Sequence, residues 1–228
     1  MDFPGGVKLP FADRQEAGRL LAGRLQPFAG RVRDVVVLGL PRGGVPVAFE
    51  VAHALRLPLD VYVVRKLGAP GFEELAMGAI ASGGIRVLNH KVIDELRVSQ
   101  RQLESVLAAE TAELKRRESA YRRDRPPPIL ESRTAILIDD GLATGSTMRA
   151  AIASLRAQRA REVFVAVPVA PHDILLELDQ ESDGAISLAT PQPFLAVGQW
   201  YEEFSPPFEE EIREHLRRNA AEIAQVGF

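Results

Sequence analysis

The chain has 228 residues, of which 46% are hydrophobic, and its formal net charge is −3 at pH 7. Its length and hydrophobic content suit one α/β domain with a full core. The small negative charge gives no general attraction for nucleic acids or anionic membranes, and the absence of cysteine excludes disulfides and thiolate zinc sites. No apolar run approaches membrane-spanning length, and the first residues do not resemble a signal peptide. We therefore expect a cytoplasmic protein that does not bind membranes and has no general affinity for nucleic acid.

The first predicted helix begins at Asp13, which forms a capping-box pattern with Glu16 three residues later. Apolar residues at helical spacing follow, and Pro27 ends the pattern. We expect this helix to cover the sheet and to have no chemical role. Its arginines are assigned to the solvated face: Arg14, Arg19 and Arg24.

Residues 34–40, DVVVLGL, predict a strand that is apolar enough to lie in the centre of a parallel sheet. The segment PRGGVPVA follows, and a helix is predicted from Val45 to Leu55. The two glycines leave backbone amides exposed with no Cβ in the way, and Arg42 adds a cation. These features suit a phosphate-bearing ligand. Taken alone, a simple strand-to-helix turn with an exposed arginine explains them equally well.

The next strand is predicted over residues 59–64 and ends in Arg65 and Lys66. Adjacent cations at the carboxyl edge of a parallel sheet suit a phosphate-bearing ligand, and a surface pair is an equally good interpretation. The segment GAPGFEE, residues 68–74, then predicts a mobile loop.

A helical insert is predicted at about residues 89–125, after a hairpin over residues 77–88. Asn89 caps a short helix, and Ser99 with Gln102 forms a capping box for a long one. The insert ends in a basic run: Lys115, Arg116, Arg117, Arg122, Arg123 and Arg125. A solvated helix end balanced by neighbouring acids, an RNA-binding surface and a subunit contact are all compatible with this run.

The stretch TAILIDDGLATGSTM, from Thr134 to Met148, organises the chain. It predicts a buried strand, then two carboxylates, Asp139 and Asp140, and then a turn of small residues that leads into a helix from Met148. Backbone N–H groups at a helix start attract phosphate, hydroxyl groups donate to its oxygens, and carboxylates accept from ribose hydroxyls. The stretch therefore predicts a sugar-phosphate site. The alternative is a capped turn with two solvated aspartates.

This stretch resembles the phosphoribosyl-pyrophosphate (PRPP) motif of type I phosphoribosyltransferases, and PRGG resembles the pyrophosphate loop of that family. The resemblance implies an α/β fold in which helices flank a parallel sheet, with a helical insert and a small cap. We expect a single domain over residues 1–228, with a C-terminal cap segment at about 190–228. The implied reaction moves the 5-phosphoribosyl group from Mg²⁺-bound PRPP to a small nitrogenous acceptor and releases pyrophosphate.

The resemblance also implies residue roles. Asp139 and Asp140 would hold the ribose hydroxyls, Arg42 and Lys66 would stabilise the departing pyrophosphate, and the Pro41–Arg42 peptide would be cis. The PRPP-binding set is Pro41, Arg42, Gly43, Gly44, Arg65, Lys66, Asp139, Asp140, Gly141, Leu142, Ala143, Thr144, Gly145, Ser146 and Thr147. The base-stacking position falls on Phe194 or Leu195, and the aromatic residues Trp200 and Tyr201 are further candidates. With the family's glycine aligned on Gly198, the acid that can help to hold magnesium falls on Glu202, and no metal ligand is assigned beyond this.

One departure from the family pattern bears on the acceptor. Family members that act on 6-oxopurines carry an aspartate where Ala143 stands, and a lysine near the end of the strand predicted over 162–167. This chain has PVA at residues 168–170, so we expect hypoxanthine and guanine to be poor acceptors. A non-catalytic, PRPP-binding regulatory protein is the alternative function. We also expect a homo-oligomer, with the final helix, over residues 207–224, packed on the sheet or on a partner chain.

Overall fold

A five-stranded parallel sheet lies at the centre of the computed structural model, which describes residues 2–3, 7–123 and 125–225, with backbone alone at 2–3 and 73–74. The helices are α1 (Arg14–Arg24), α2 (Gly44–Leu55), α3 (His90–Glu95), α4 (Gln100–Arg122), α5 (Ser146–Ala157), α6 (His172–Glu181) and α7 (Glu209–Gln225). The strands are β1 (Asp2–Phe3), β2 (Val7–Lys8), β3 (Val35–Gly39), β4 (Leu59–Val61), β5 (Val64–Ala69), β6 (Phe72–Ala81), β7 (Ile85–Leu88), β8 (Thr134–Ile138), β9 (Glu162–Val169) and β10 (Ala185–Ala189).

The strand order in the central sheet is β10-β9-β8-β3-β4, and all neighbours run parallel. Alternate residues of β3 face two different cores. Val35 and Val37 pack with α1, α2 and α7, whereas Val36 and Leu38 pack with α5 and α6. Helices therefore cover both faces, which explains why β3 and the part of β8 after Thr134 carry no polar side chain. The predicted fold class, a parallel sheet flanked by helices, is confirmed.

The strand predicted over residues 59–64 is divided between two sheets, and this part of the prediction is wrong. The segment leaves the central sheet after β4, and from Val64 it continues as β5 in an antiparallel sheet of order β5-β6-β7. Two backbone bonds hold the crossing point, from Tyr62 N to Gly39 O (2.9 Å) and from Ser82 N to Val63 O (2.8 Å). The chain thus passes from one sheet to the other without a loop.

The loop predicted over residues 68–74 is instead the tip of the β5–β6 hairpin. The paired strands extend to Ala69 and Phe72, so the turn occupies Pro70 and Gly71. Gly71 has a φ of +79°, a backbone conformation that glycine adopts at low cost and that permits this short turn. The hairpin predicted over residues 77–88 is confirmed as β6 and β7.

The two helices predicted in the insert are confirmed as α3 and α4, with the predicted caps at Asn89 and Ser99. The basic end of α4 is not uniformly solvated. Arg116 and Arg117 pair with Glu113 on the surface, where their hydrogen bonds lower the pKa of Glu113 to about 2.

Arg122, by contrast, is 5% exposed, and its Nε lies 2.8 Å from Asp60 Oδ1 on β4. Its guanidinium also donates to Val61 O, so the C-terminal end of α4 is docked on the edge of the central sheet.

Helix α7 packs within its own chain. Of the two positions predicted for it, on the sheet or on a partner chain, the structure shows the first. Ile212 and Leu216 are buried in the core shared with α2. Asn219 links α7 to the start of β4, because its side chain donates to Leu57 O (3.0 Å) and accepts from Leu59 N (2.8 Å). Within the described ranges, no helix combines the length and apolarity needed to cross a bilayer.

Candidate active site

Two loops meet where β3 and β8 end side by side at the carboxyl edge of the central sheet. The strands are in register from Val35 opposite Thr134 onward, and Leu40 N donates to Ile138 O (2.8 Å) just beyond them. Residues 41–44 follow β3, and residues 139–146 follow β8. Because parallel sheets bind ligands at this edge, the geometry favours a binding site here.

The glycine loop approaches the acidic pair too closely for any side chain. A Cβ added to Gly43 would lie 1.9 Å from Asp140 Oδ2, and one added to Gly44 would lie 2.7 Å from Asp139 Cα. These two glycines are therefore needed for space. The Pro41–Arg42 peptide is cis, as predicted, and Arg42 is exposed. The structure thus brings Arg42, Gly43 and Gly44 together with both aspartates.

The loop from Gly141 to Thr147 leads into α5, which begins at Ser146, two residues earlier than predicted. Gly145 precedes the helix with a φ of +70°. The four positions that are exposed carry a methyl group or hydroxyls: Ala143, Thr144, Ser146 and Thr147. Since the first N–H groups of a helix have no partner within it, this loop offers donors to an anion.

Two residues of this loop, Leu142 and Gly141, are held by contacts with other parts of the protein. Leu142 is buried in the core beneath, and its N–H donates to Val169 O (3.0 Å). Gly141 packs under Val197, which would lie 2.5 Å from a Cβ at that position. The segment after β10 therefore covers the start of the loop.

Asp139 and Asp140 form a coupled pair of carboxyl groups. They are partly exposed at the edge of the sheet, and Asp139 Oδ1 accepts from Asp140 N (2.9 Å). Enough protein surrounds them that burial raises the pKa of both groups. The neighbouring charge of Asp140 raises the pKa of Asp139 further, whereas Arg14 offsets part of the increase at Asp140. Of the two carboxyl groups, Asp140 is therefore the better place for a negative charge, because Arg14 lies beside it.

Arg14 is a site residue that the sequence prediction assigned wrongly to the solvated face. It is 8% exposed, and both Nε and Nη2 lie 2.8 Å from Asp140 Oδ2. The signal was present in the helical spacing, because Arg14 lies on the same face of α1 as Ala17, Gly18 and Leu21, which are all buried.

Arg65 and Lys66 lie on β5 in the antiparallel sheet, so the prediction that they follow a strand of the central sheet is wrong. Arg65 Nε is 2.6 Å from Glu110 Oε2 on α4. Both cations line a cleft of about 450 Å³ between β5 and α4. The contacts that unite the glycine loop with the aspartates do not involve Arg65.

Phe194 and Leu195, the two alternatives for stacking on a base, have different surroundings. Phe194 lines a cleft of about 440 Å³ beside the loop from Gly141 to Thr147, together with Ala143, Thr144 and polar residues that include His172, Asp173 and Gln192. Leu195 is 77% exposed. The arrangement therefore favours Phe194.

Of the other two aromatic candidates for base stacking, Tyr201 is engaged within the protein and Trp200 lies beside Phe194. Tyr201 is 6% exposed and stacks on Phe204. Its hydroxyl donates to Asp140 O (2.6 Å), and burial raises its pKa. Trp200 lies with its ring 6.1 Å from that of Phe194. Tyr201 therefore holds the backbone of Asp140 in place and is not available to stack on a base.

Comparison with known proteins agrees with this geometry. A family model described as the phosphoribosyl transferase domain matches residues 14–183. Two proteins of Mycobacterium tuberculosis, named "Putative phosphoribosyl transferase MT0597" (strain CDC 1551 / Oshkosh) and "Putative phosphoribosyl transferase Rv0571c" (strain ATCC 25618 / H37Rv), are each 46% identical to the chain over 217 residues. The match covers 95% of this chain and 48% of theirs, so the chain spans about half the length of these relatives.

The crystal structure of the protein TT1426 from Thermus thermophilus is similar with a TM-score of 0.82 at 41% identity, over 92% of this chain and 99% of that one. The family match includes the loops after β3 and β8 that form the site. The chain therefore belongs to the phosphoribosyl transferase domain family.

Proposed function

We propose that this protein transfers the 5-phosphoribosyl group of PRPP to a nitrogen nucleophile and releases pyrophosphate. The observation that carries the proposal is the contact between the two loops, in which Gly43 packs on the carboxylate of Asp140. This contact brings three features together at one edge of the sheet. They are a glycine loop that carries a cation, two carboxyl groups that can accept hydrogen bonds from hydroxyls, and a helix N-terminus. PRPP presents a diphosphate, a ribose and a 5′-phosphate, which match these three features in chemistry.

Each part of the site then has a defined task. Asp139 and Asp140 accept hydrogen bonds from the ribose hydroxyls, and residues 143–147 hold the 5′-phosphate at the start of α5. The bond from C1 to the diphosphate oxygen breaks with its electron pair on pyrophosphate, whose charge the exposed Arg42 offsets. The acceptor nitrogen forms the new bond to C1 and loses its proton to solvent. Positioning and electrostatics therefore supply the catalysis, without a covalent intermediate on the protein.

Magnesium fits this site as an ion bound chiefly by the substrate. The described residues contain no cluster of three or more His, Cys, Asp and Glu side chains that could form a protein cage. Mg²⁺ commonly takes its ligands from substrate phosphates and water, with few from protein, so the oxygens of PRPP suffice. Its chemistry would be to neutralise the diphosphate.

The cleft beside Ala143 is the proposed place for the acceptor. Phe194 supplies an aromatic face on which a planar base can stack. To test the reaction, the protein is incubated with Mg-PRPP and a pool of nucleobases, and both the consumption of PRPP and the release of pyrophosphate are measured. If the protein bound Mg-PRPP yet released no pyrophosphate with any acceptor, the proposed transfer would be wrong and a regulatory role would be favoured.

Asp139→Asn and Asp140→Asn are each expected to weaken Mg-PRPP binding about 10- to 100-fold. A carboxylate accepts two ribose bonds with charge assistance, and each such bond contributes about 1.5–3 kcal/mol. Isothermal titration calorimetry of both variants measures the change. Glu131→Gln is the matched control, because its carboxylate is 62% exposed and precedes β8 at the opposite edge of the sheet. Wild-type affinity in both aspartate variants would exclude the assigned roles.

Hypoxanthine and guanine are expected to react about 10- to 100-fold more slowly than the best acceptor, since Ala143 offers no base and residues 168–170 offer no cation. Initial rates with hypoxanthine, guanine, adenine, uracil and orotate provide the comparison. Ala143→Asp should raise the rates with the two 6-oxopurines from this low level. A clear preference of the wild-type protein for hypoxanthine or guanine would contradict our interpretation of Ala143.

A further inference from the structure

The guanidinium of Arg14 makes three contacts at once. Nε and Nη2 donate to Asp140 Oδ2, each over 2.8 Å, and Nη1 donates to the Ser205 carbonyl oxygen over 2.9 Å. Its Cζ also lies 4.0 Å from the centre of the Phe204 ring. One side chain thus joins α1, the acid after β8 and the segment after β10.

Core stability alone does not explain an arginine at this position. The rest of the buried face of α1 is made of small and apolar residues such as Ala17 and Leu21. Removing a charged pair from water costs about as much as the pair gains, so an apolar side chain of similar volume would serve packing equally well. The benefit of the pair therefore lies in what Arg14 does to Asp140.

The contacts of Arg14 constrain one oxygen of Asp140. Both guanidinium bonds to the carboxylate end on Oδ2, and Gly43 packs against the same oxygen. With Oδ2 held from two sides, the carboxylate cannot rotate freely, and Oδ1 is the oxygen that Arg14 leaves to a ligand. A fixed acceptor loses less entropy when it binds a hydroxyl than a freely rotating one.

The other end of Arg14 reaches the segment that covers the site. Residues 194–205 begin with Phe194 in the proposed acceptor cleft, place Val197 over Gly141, and end at Ser205, whose carbonyl accepts from Arg14. Tyr201 strengthens the same link, because its hydroxyl donates to the backbone oxygen of Asp140. Hydrogen bonds therefore connect Asp140, the proposed acceptor for a ribose hydroxyl, to the segment 194–205, which contributes Phe194 to the proposed acceptor cleft.

We propose that Arg14 is a positioning residue of the phosphoribosyl transfer site, which orients Asp140 toward ribose and ties that carboxylate to the covering segment 194–205. This inference rests on the proposed function, since it assigns Asp140 to PRPP. It adds a residue of α1 to the site, and it makes the binding of PRPP sensitive to a helix that contributes no group to the ligand itself.

The test uses Arg14→Met, Arg14→Lys, Asp140→Asn and the Arg14→Met/Asp140→Asn double variant, with Arg19→Met as control. Arg19 lies on the same helix, is 60% exposed, and approaches Glu50 only to 3.8 Å. Arg14→Met is expected to weaken Mg-PRPP binding and raise its KM about 10- to 100-fold, while kcat at saturating PRPP stays within about threefold. Arg14→Lys should recover part of the loss, because it restores the charge without the planar fork.

The double variant distinguishes positioning from a general structural role. If Arg14 acts through Asp140, the double variant binds Mg-PRPP as Asp140→Asn does, and the two effects are not additive. Full additivity, or wild-type affinity in Arg14→Met, would overturn the inference while leaving the proposed function intact. Failure of the wild-type protein to bind Mg-PRPP would overturn both. Thermal melting of each variant ensures that only folded protein is compared, and Arg14→Lys serves if Arg14→Met does not fold.

Discussion

Gly43→Ala is expected to lower kcat/KM for PRPP by at least about 100-fold. The backbone of Gly43 has φ −62° and ψ −35°, which alanine adopts without strain, so the effect comes from space alone. The new methyl carbon would lie 1.9 Å from Asp140 Oδ2, and either the glycine loop or the carboxylate must move away. A displacement of about 1 Å at such a site costs on the order of 100-fold in rate.

Gly23→Ala is the matched control for this substitution. Gly23 lies in α1, where an added Cβ would meet nothing within 4 Å. Alanine in a helix is favoured over glycine by about 0.5–1 kcal/mol, so this variant should be slightly more stable and fully active. Steady-state kinetics and calorimetry with Mg-PRPP provide the measurement. Wild-type kcat/KM in Gly43→Ala would mean that the two loops do not act together.

Arg122→Met is expected to lower the free energy of unfolding by about 3–5 kcal/mol at pH 7, because it leaves Asp60 buried without its counter-charge. Burial raises the pKa of Asp60 even with Arg122 in place, although Arg122 offsets part of the rise. The variant should raise that pKa further. A carboxyl with a raised folded pKa loses stability as the pH rises above its unfolded pKa, so the cost of Arg122→Met should shrink as the pH falls toward that value.

Urea unfolding at pH 7 and at pH 5 measures both the loss and its pH dependence. Arg116→Met is the control, since Arg116 pairs with Glu113 on the surface at 59% exposure and its loss should change the free energy of unfolding little. The Arg122→Met/Asp60→Leu double variant removes both charges and should recover much of the stability. Equal costs for the two arginine variants would show that the Asp60 pair is not what docks α4.

The features that could be predicted from the sequence are those that neighbouring residues determine. β3 and β8 were recognisable because a strand buried on both faces consists almost entirely of apolar residues. The caps at Asp13, Asn89 and Ser99 were recognisable because one polar side chain satisfies helix N–H groups locally. The small and acidic residues after β8 were equally informative about a phosphate site.

The features that were missed depend on partners far away in the chain. The division between β4 and β5 has no local signal, because VYVV at residues 61–64 is apolar or β-forming throughout and β6 decides where the second sheet begins. The role of Arg14 depends on Asp140, 126 residues away. Helical spacing placed Arg14 on the buried face of α1, but only the tertiary structure supplies the carboxylate that makes its burial tolerable.

The pairing of β3 with β8 has a consequence for the order of folding during synthesis. Val35 pairs with Thr134, 99 positions later in the chain, and β4 is the neighbour of β3 that the ribosome delivers first. At about 5–20 residues per second, the edge of β3 that receives β8 waits roughly 5–20 s for its partner. During that interval a nascent chain presents an apolar strand edge, which is the kind of surface that chaperones shield. Asp139 and Asp140 follow β8 directly, so the step that pairs β8 with β3 also delivers the acids to the glycine loop. A nascent chain thus acquires the candidate site only when β8 pairs with β3, before β9 and β10 extend the sheet.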